Sequence, residues 1–285
     1  MNPRNDQHDQ PDQPDRPHPN KPHYAPQRAN NPPPQPRLQK PDLKPATTTL
    51  WDYPSQHYGT GHGNAQQGRA AYTGATPSWV IWQLIDRYTK PGDTVVDPMC
   101  GSGTTIDVAN DTNRNPKGFD LRPTRPDITQ ANARKLPLPD ACADLVFIDP
   151  PYSTHVDYSD DARCIGKLDA LPDTDDGGRA YYESMHDTLA ECVRVLKPAG
   201  YLAIYVSDSW KKRRGRGPDA PPGVFAPIGF ELFAMVAQAL EPVDHVAVVR
   251  HNAKLDKGNW HKAAEEQGYM LRGFNHLMIF HKPTD

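Results

Sequence analysis

Thr94-Val95-Val96-Asp97-Pro98-Met99-Cys100-Gly101-Ser102-Gly103-Thr104-Thr105 reads as a short strand, a glycine-rich turn and the opening of a helix. Glycines in such a turn let a backbone approach a ligand, and the helix start offers free N–H groups to a carboxylate or phosphate. Outward from it the same alternation repeats. Ile81, Leu84, Ile85 and Tyr88 share one helical face before it, with Pro77 suited to a first helical turn and Pro91-Gly92 ending the helix. After it come a strand at Lys117–Asp120 and the apolar run Asp144–Asp149, which has the character of a buried parallel strand. Tyr182, Met185, Leu189, Cys192, Val193 and Leu196 have helical spacing, then Tyr201–Val206 reads as a strand. A helix around Leu232–Leu240 and strands at His245–Val249 and His276–His281 complete the series. Short buried strands separated by helices predict a doubly wound α/β fold.

The remaining composition sets the boundaries. The chain has 285 residues and a net charge of −3, and 13 of its 32 prolines fall in residues 1–45. Only Met1, Tyr24, Ala25, Ala29, Leu38 and Leu43 are apolar there, too little to offset the entropy of ordering the segment. A disordered Pro/Gln/Asn-rich tail is expected, either simply solvated or a weak tether for nucleic acid. Residues 46–75 read as a loop or linker, and 76–285 as the folded domain. Cys100, Cys142, Cys164 and Cys192 form no C-x-x-C pair, which argues against a zinc ribbon or a disulfide scaffold. No run approaches the length of a membrane span and the N-terminus lacks a signal-peptide core, so a cytoplasmic protein is the expectation.

Two constellations carry chemistry. The first is the Asp97–Thr105 turn with Asp120, which closes the next strand and sits where a carboxylate grips ribose hydroxyls. Thr104 follows Gly103 where a phosphate-binding loop would need Lys, so an ATPase of that type is disfavoured. The second is Asp149-Pro150-Pro151-Tyr152 at the end of a buried strand, the edge where open α/β sheets bind ligands. The Asp149 carboxylate and the Pro150 carbonyl can both accept from one NH₂ group, while the Tyr152 ring stacks on the planar base that carries it.

Together these motifs resemble the S-adenosylmethionine-dependent amino-methyltransferases of DNA, the N6-adenine/N4-cytosine group. The resemblance runs from about Thr76 to Pro283. It includes Thr76-Pro77, the segment Asn132–Pro137 and the closing Arg272-Gly273-Phe274-Asn275-His276. It implies a mostly parallel, seven-stranded Rossmann-like sheet with an antiparallel final strand. It also implies S-adenosylmethionine bound by Asp97, Pro98, Gly101, Gly103, Thr104, Thr105 and Asp120, with Asn132 and Ala133 bordering its adenine. Catalysis would fall to Asp149, Pro150, Pro151 and Tyr152 acting on a flipped base, with a slight lean to N6-adenine. No cysteine nucleophile is needed, so Cys100 is read as packing.

DNA contacts are expected from residues 207–226, with the basic run Lys211, Lys212, Arg213, Arg214 and Arg216, and from the polar loop 251–272, with Trp260 and Lys262. A solvated loop is the plain alternative for the basic run. His251, His261 and His276 match no standard metal spacing. An RNA amino-methyltransferase of the guanine-N2 type and an idle nucleic-acid-binding module are the rival readings.

Overall fold

The computed structural model describes residues 42–59, 66–69, 74–154, 156, 158–211, 223–251, 255 and 258–284. These all fall in one unit running from Lys40 to Asp285. Most of the expected tail, residues 1–41, lies outside the described residues.

In chain order the strands are β1 (Leu50–Trp51), β2 (Thr94–Asp97), β3 (Asn115–Asp120), β4 (Ile128–Gln130), β5 (Ala143–Ile148) and β6 (Leu196–Val206). They continue as β7 (Ser209–Lys211), β8 (Val224–Ala226), β9 (Glu241–Val249) and β10 (Phe274–His281). The helices are α1 (Ser78–Tyr88), α2 (Thr104–Asp111), α3 (Arg179–Val195), α4 (Ile228–Val236) and α5 (Gly258–Gln267). Eight strands form one sheet in the order β1-β9-β10-β6-β5-β2-β3-β4, and β7 and β8 form a separate hairpin. Every pairing in the large sheet is parallel except those of β10, which runs against both β6 and β9.

The sheet buries both faces, as a parallel sheet must. On one side Leu145, Phe147, Ala203, Tyr205, Val248 and Leu277 pack against α1 and α2. On the other Val146, Ile148, Leu202, Ile204, Met278 and Phe280 pack against α3 and α4. Side chains alternate across a strand, so each strand contributes to both layers. The end of α1 is closed by Arg114, whose guanidinium donates to the carbonyls of Ile85 and Thr89. Those are groups a helix terminus would otherwise leave unpaired.

Three expectations need correction. The sheet has eight strands rather than seven, because Leu50–Trp51 adds an edge strand beside β9. The 46–75 segment is accordingly more than a linker: Trp51, Tyr53, Tyr58 and Gln67 are buried in it. These three buried aromatics are spaced irregularly among polar residues, which hid them from a periodicity reading. The 251–272 segment contains the helix α5 rather than a loop throughout. Ala264 is the only buried residue among those that form α5, so no apolar stripe announces the helix.

Candidate active site

The glycine-rich turn joins β2 to α2 and bends where left-handed backbone is needed. Gly101 has φ 51° and Gly103, the N-cap of α2, has φ 82°. A Cβ on Gly103 would lie 2.6 Å from Nη1 of Arg125, which is itself held by Asp107 and Asp127. Bare backbone in this turn forms one wall of a cavity of about 320 Å³. Asp97, Pro98, Gly101, Thr104, Thr105, Asp120, Asn132 and Ala133 all line it, as expected of a cofactor site. Gly103 does not line it and instead shapes the turn behind it.

The acidic groups in this cavity are tightly organised. Thr105 Oγ1 donates to Asp97 Oδ2 at 2.5 Å, and the Met99 amide donates to Asp97 Oδ1 at 3.0 Å. Burial nevertheless pushes the Asp97 carboxyl up to about 7. Asp120 accepts from the amides of Gly101 at 3.0 Å and Arg122 at 2.8 Å. Its carboxylate thus ties the turn to the end of β3 while facing the cavity. The Cys100 thiol is pushed well up by burial and packs in a small cluster with Ile106 and Ile128, not as a nucleophile.

Asp149 follows β5 at the carboxyl edge of the sheet, one strand from Asp97. Thr76 Oγ1 donates to Asp149 Oδ2 at 2.5 Å, leaving Oδ1 for a ligand. Burial pushes this carboxyl up to about 7, against the lowering effect of the Thr76 hydrogen bond; the charge of Asp97 raises it and that of Arg250 lowers it. Pro151 is pinned by the Tyr181 hydroxyl, which donates to its carbonyl at 2.8 Å. Pro150 is buried and lines neither cavity of the site.

Asp149 is also a wall of a second cavity, of about 480 Å³. Tyr152 and Tyr205 line it from the sheet side, Tyr53 and Trp79 from the N-terminal segment and α1, and Arg250 and Asn275 from the far strands. Gly74 and Ala75 line both cavities, so the residues just before α1 stand between them. Thr76, Tyr53, Trp79, Tyr205, Arg250 and Asn275 escaped the sequence reading as site residues. Thr76 and Asn275 carried a signal, as parts of Thr76-Pro77 and of the closing Arg272–His276 segment; Tyr53 and Trp79 come in from the N-terminal segment and α1, and Tyr205 and Arg250 through strand order.

The expected nucleic-acid contacts are less assembled. Lys211 is engaged by Asp169 at 2.8 Å. Lys212, Arg213, Arg214 and Arg216 lie outside the described residues. Trp260 and Lys262 sit on α5, where Lys262 approaches Glu266 at 3.7 Å. Trp210 of β7 stacks on Tyr269 just after α5, ring centroids 3.7 Å apart, which fastens the hairpin to that segment. The three histidines are dispersed: His251 contacts Asp52, His261 the Leu255 carbonyl, and His276 both Asp208 and His245. No described helix is long and apolar enough to cross a membrane.

No curated protein matches the chain. Among solved structures, geranyl diphosphate C-methyltransferase from Streptomyces coelicolor is 14% identical over 72% of this chain and 80% of its own, at TM-score 0.44. TrmN from Thermus thermophilus is 17% identical over 72% of this chain and 48% of its own, at TM-score 0.43. A family model described as DNA methylase, of the N6/N4 methyltransferase type, matches residues 6–131 and 143–283. That match covers well over half of the chain's length, so the chain belongs to the DNA methylase family, whose methyl donor is S-adenosylmethionine.

Proposed function

We propose that the protein methylates the exocyclic amine of a base flipped out of DNA, at N6 of adenine or N4 of cytosine. The observation that carries this reading is the second cavity. It opens beside Asp149, shares that carboxylate with the cofactor cavity, and is walled by Tyr53, Trp79, Tyr152 and Tyr205. A planar base needs aromatic faces to replace the stacking it loses on flipping, a few kcal/mol. S-adenosylmethionine supplies an electrophilic methyl group on a sulfonium.

The residues do the rest. Asp97, Asp120, Asn132 and Ala133 hold the cofactor side, and Tyr152 supports the base. Asp149, as a carboxylate, accepts an N–H of the amine through Oδ1 and turns its lone pair toward the methyl group. Held there, S-adenosylmethionine would give its methyl group to that nitrogen and keep the bonding pair of the broken S–CH₃ bond on its sulfur. The proton that the nitrogen then sheds passes to Asp149, whose raised pKa suits it to take one near neutral pH. Alignment and fixed charges supply the rate gain. Arg213, Arg214 and their neighbours, with Trp260 and Lys262, are the phosphate contacts this reading assigns.

Mass spectrometry of nucleosides from cells expressing the protein tests it. DNA should carry N6-methyladenine or N4-methylcytosine that is absent when Asp149→Ala replaces the parent. Methyl groups found only in RNA, as a methylated guanine amine, would move the substrate to the rival class.

A further inference from the structure

By side-chain alternation, Asp97, Asp149, Ser207, Asn275 and Arg250 continue the sheet face formed by Val95, Phe147, Tyr205, Leu277 and Val248. They stand in, or one residue beyond, the strands β2, β5, β6, β10 and β9, which are neighbours in the sheet, at one edge of it. At one end of this row stand Asp97 and, next to it, the catalytic carboxylate of Asp149. The other end has had no role. Arg250 is anchored by donating to Ser207 Oγ at 3.0 Å. Asn275 is 6% exposed, its amide reaches the Tyr205 hydroxyl, and its Oδ1 has no hydrogen-bond partner among the described residues. A buried amide left half-satisfied in a cavity wall costs free energy that a ligand can recover.

Resting on the reading of this cavity as the base site, we infer that Asn275 reads the flipped base. A half-turn of its amide lets the Tyr205 hydroxyl donate to Oδ1 and leaves an Nδ2–H without a partner in the cavity wall. That N–H meets an unprotonated acceptor on the ring of a base whose amine is held at Asp149. Adenine and cytosine both carry an amine beside an unprotonated ring nitrogen. Thymine has no amine for Asp149 and carries a ring N–H between its carbonyls; guanine, whose amine lies between N1–H and N3, is rejected in the orientation that turns N1–H toward Asn275, because a donor facing a donor is disfavoured strongly. Asn275 is thereby a specificity-determining contact, and Tyr205 is the residue that orients it.

Labelled S-adenosylmethionine with unmethylated plasmid DNA, and with transcribed RNA in parallel, tests the inference in the full chain. Asn275→Asp keeps the size and an acceptor but removes the donor, whereas Asn275→Leu removes both. Both variants should keep the parent's melting temperature and cofactor affinity, and lose about 30-fold in kcat/KM for DNA. If Asn275→Asp stays within about threefold of the parent, the donor role is overturned, whether or not Asn275→Leu folds. A parent that methylates neither polymer overturns the functional reading and this inference together. A parent active on DNA with an equally active Asn275→Asp overturns this inference alone.

Discussion

Thr76 decides how Asp149 can work. Its hydroxyl occupies Oδ2 and opposes the effect of burial, which otherwise favours the neutral acid. Removing that hydroxyl should raise the Asp149 pKa above its present value near 7. Activity that needs the carboxylate falls as pH drops through that pKa, so in Thr76→Val the acidic limb of the pH–rate profile should move to higher pH. Recovery toward the parent rate at pH 9 is expected, and an unmoved limb would deny Thr76 this role. Asp149→Ala, by contrast, should lose transfer at every pH while binding cofactor as before, which calorimetry checks.

At the level of elements, the segment from Asp42 to Gly59 behaves as part of the domain. Gln83 of α1 both donates to the Lys44 carbonyl and accepts from the Ala46 amide, at 2.7 and 2.8 Å. Trp51 and Tyr53 pack on Trp79, with ring centroids 6.5 and 5.7 Å apart. Deleting residues 1–41 should therefore leave the melting temperature close to the parent's, because their composition offers little to bury. Deleting residues 1–59 should lower it by several degrees, since three buried aromatics (Trp51, Tyr53 and Tyr58) and an edge strand go with it. The contrast also marks what could be read from the sequence. Strands β2, β5 and β6 were legible because a strand buried on both faces is a continuous apolar run. So were α1 and α3, from their spacing. A two-residue strand and a helix with one buried position leave no such trace, and β4 is too short to stand out. In the site, Asp97 and Asp149 were legible because each ends a readable strand beside a glycine or proline turn. Asn275 and Arg250 were not legible as site residues, since only the sheet order sets β10 beside β6 and β9 beyond it.

For the whole molecule, holding Asp97 and Asp149 together has a pH signature. Both carboxyls are raised to about 7 in the folded chain, from about 4 when unfolded. Between those values the folded state binds more protons, so their contribution to stability is full below about pH 4 and is lost as pH rises through 7. Asp208 is lowered by its hydrogen bonds to His276 and Gly229, and Asp169 by its bonds to Lys211 and Ser153, so these two act the other way, at the acid end. The cofactor-free protein should thus melt highest in mildly acidic buffer and lower at pH 8. Asp149→Asn should flatten the fall between pH 6 and pH 8 and raise the melting temperature at pH 8, while losing transfer. Scanning fluorimetry across that range checks the sign. A variant that falls as steeply as the parent would mean that Asp149 is not strained by its charge.

The partition of Gly74, Ala75 and Asp149 between two cavities bears on traffic as well as chemistry. The two cavities share Gly74, Ala75 and Asp149 and no other lining residue, so on the proposed reading the spent donor and the modified base need not leave by one door. Either substrate can then load first. S-adenosylhomocysteine should inhibit competitively against S-adenosylmethionine and noncompetitively against DNA, a pattern that initial-rate measurements resolve. Where the donor can be exchanged without release of the polymer, one enzyme can modify successive sites along the same strand before it lets go.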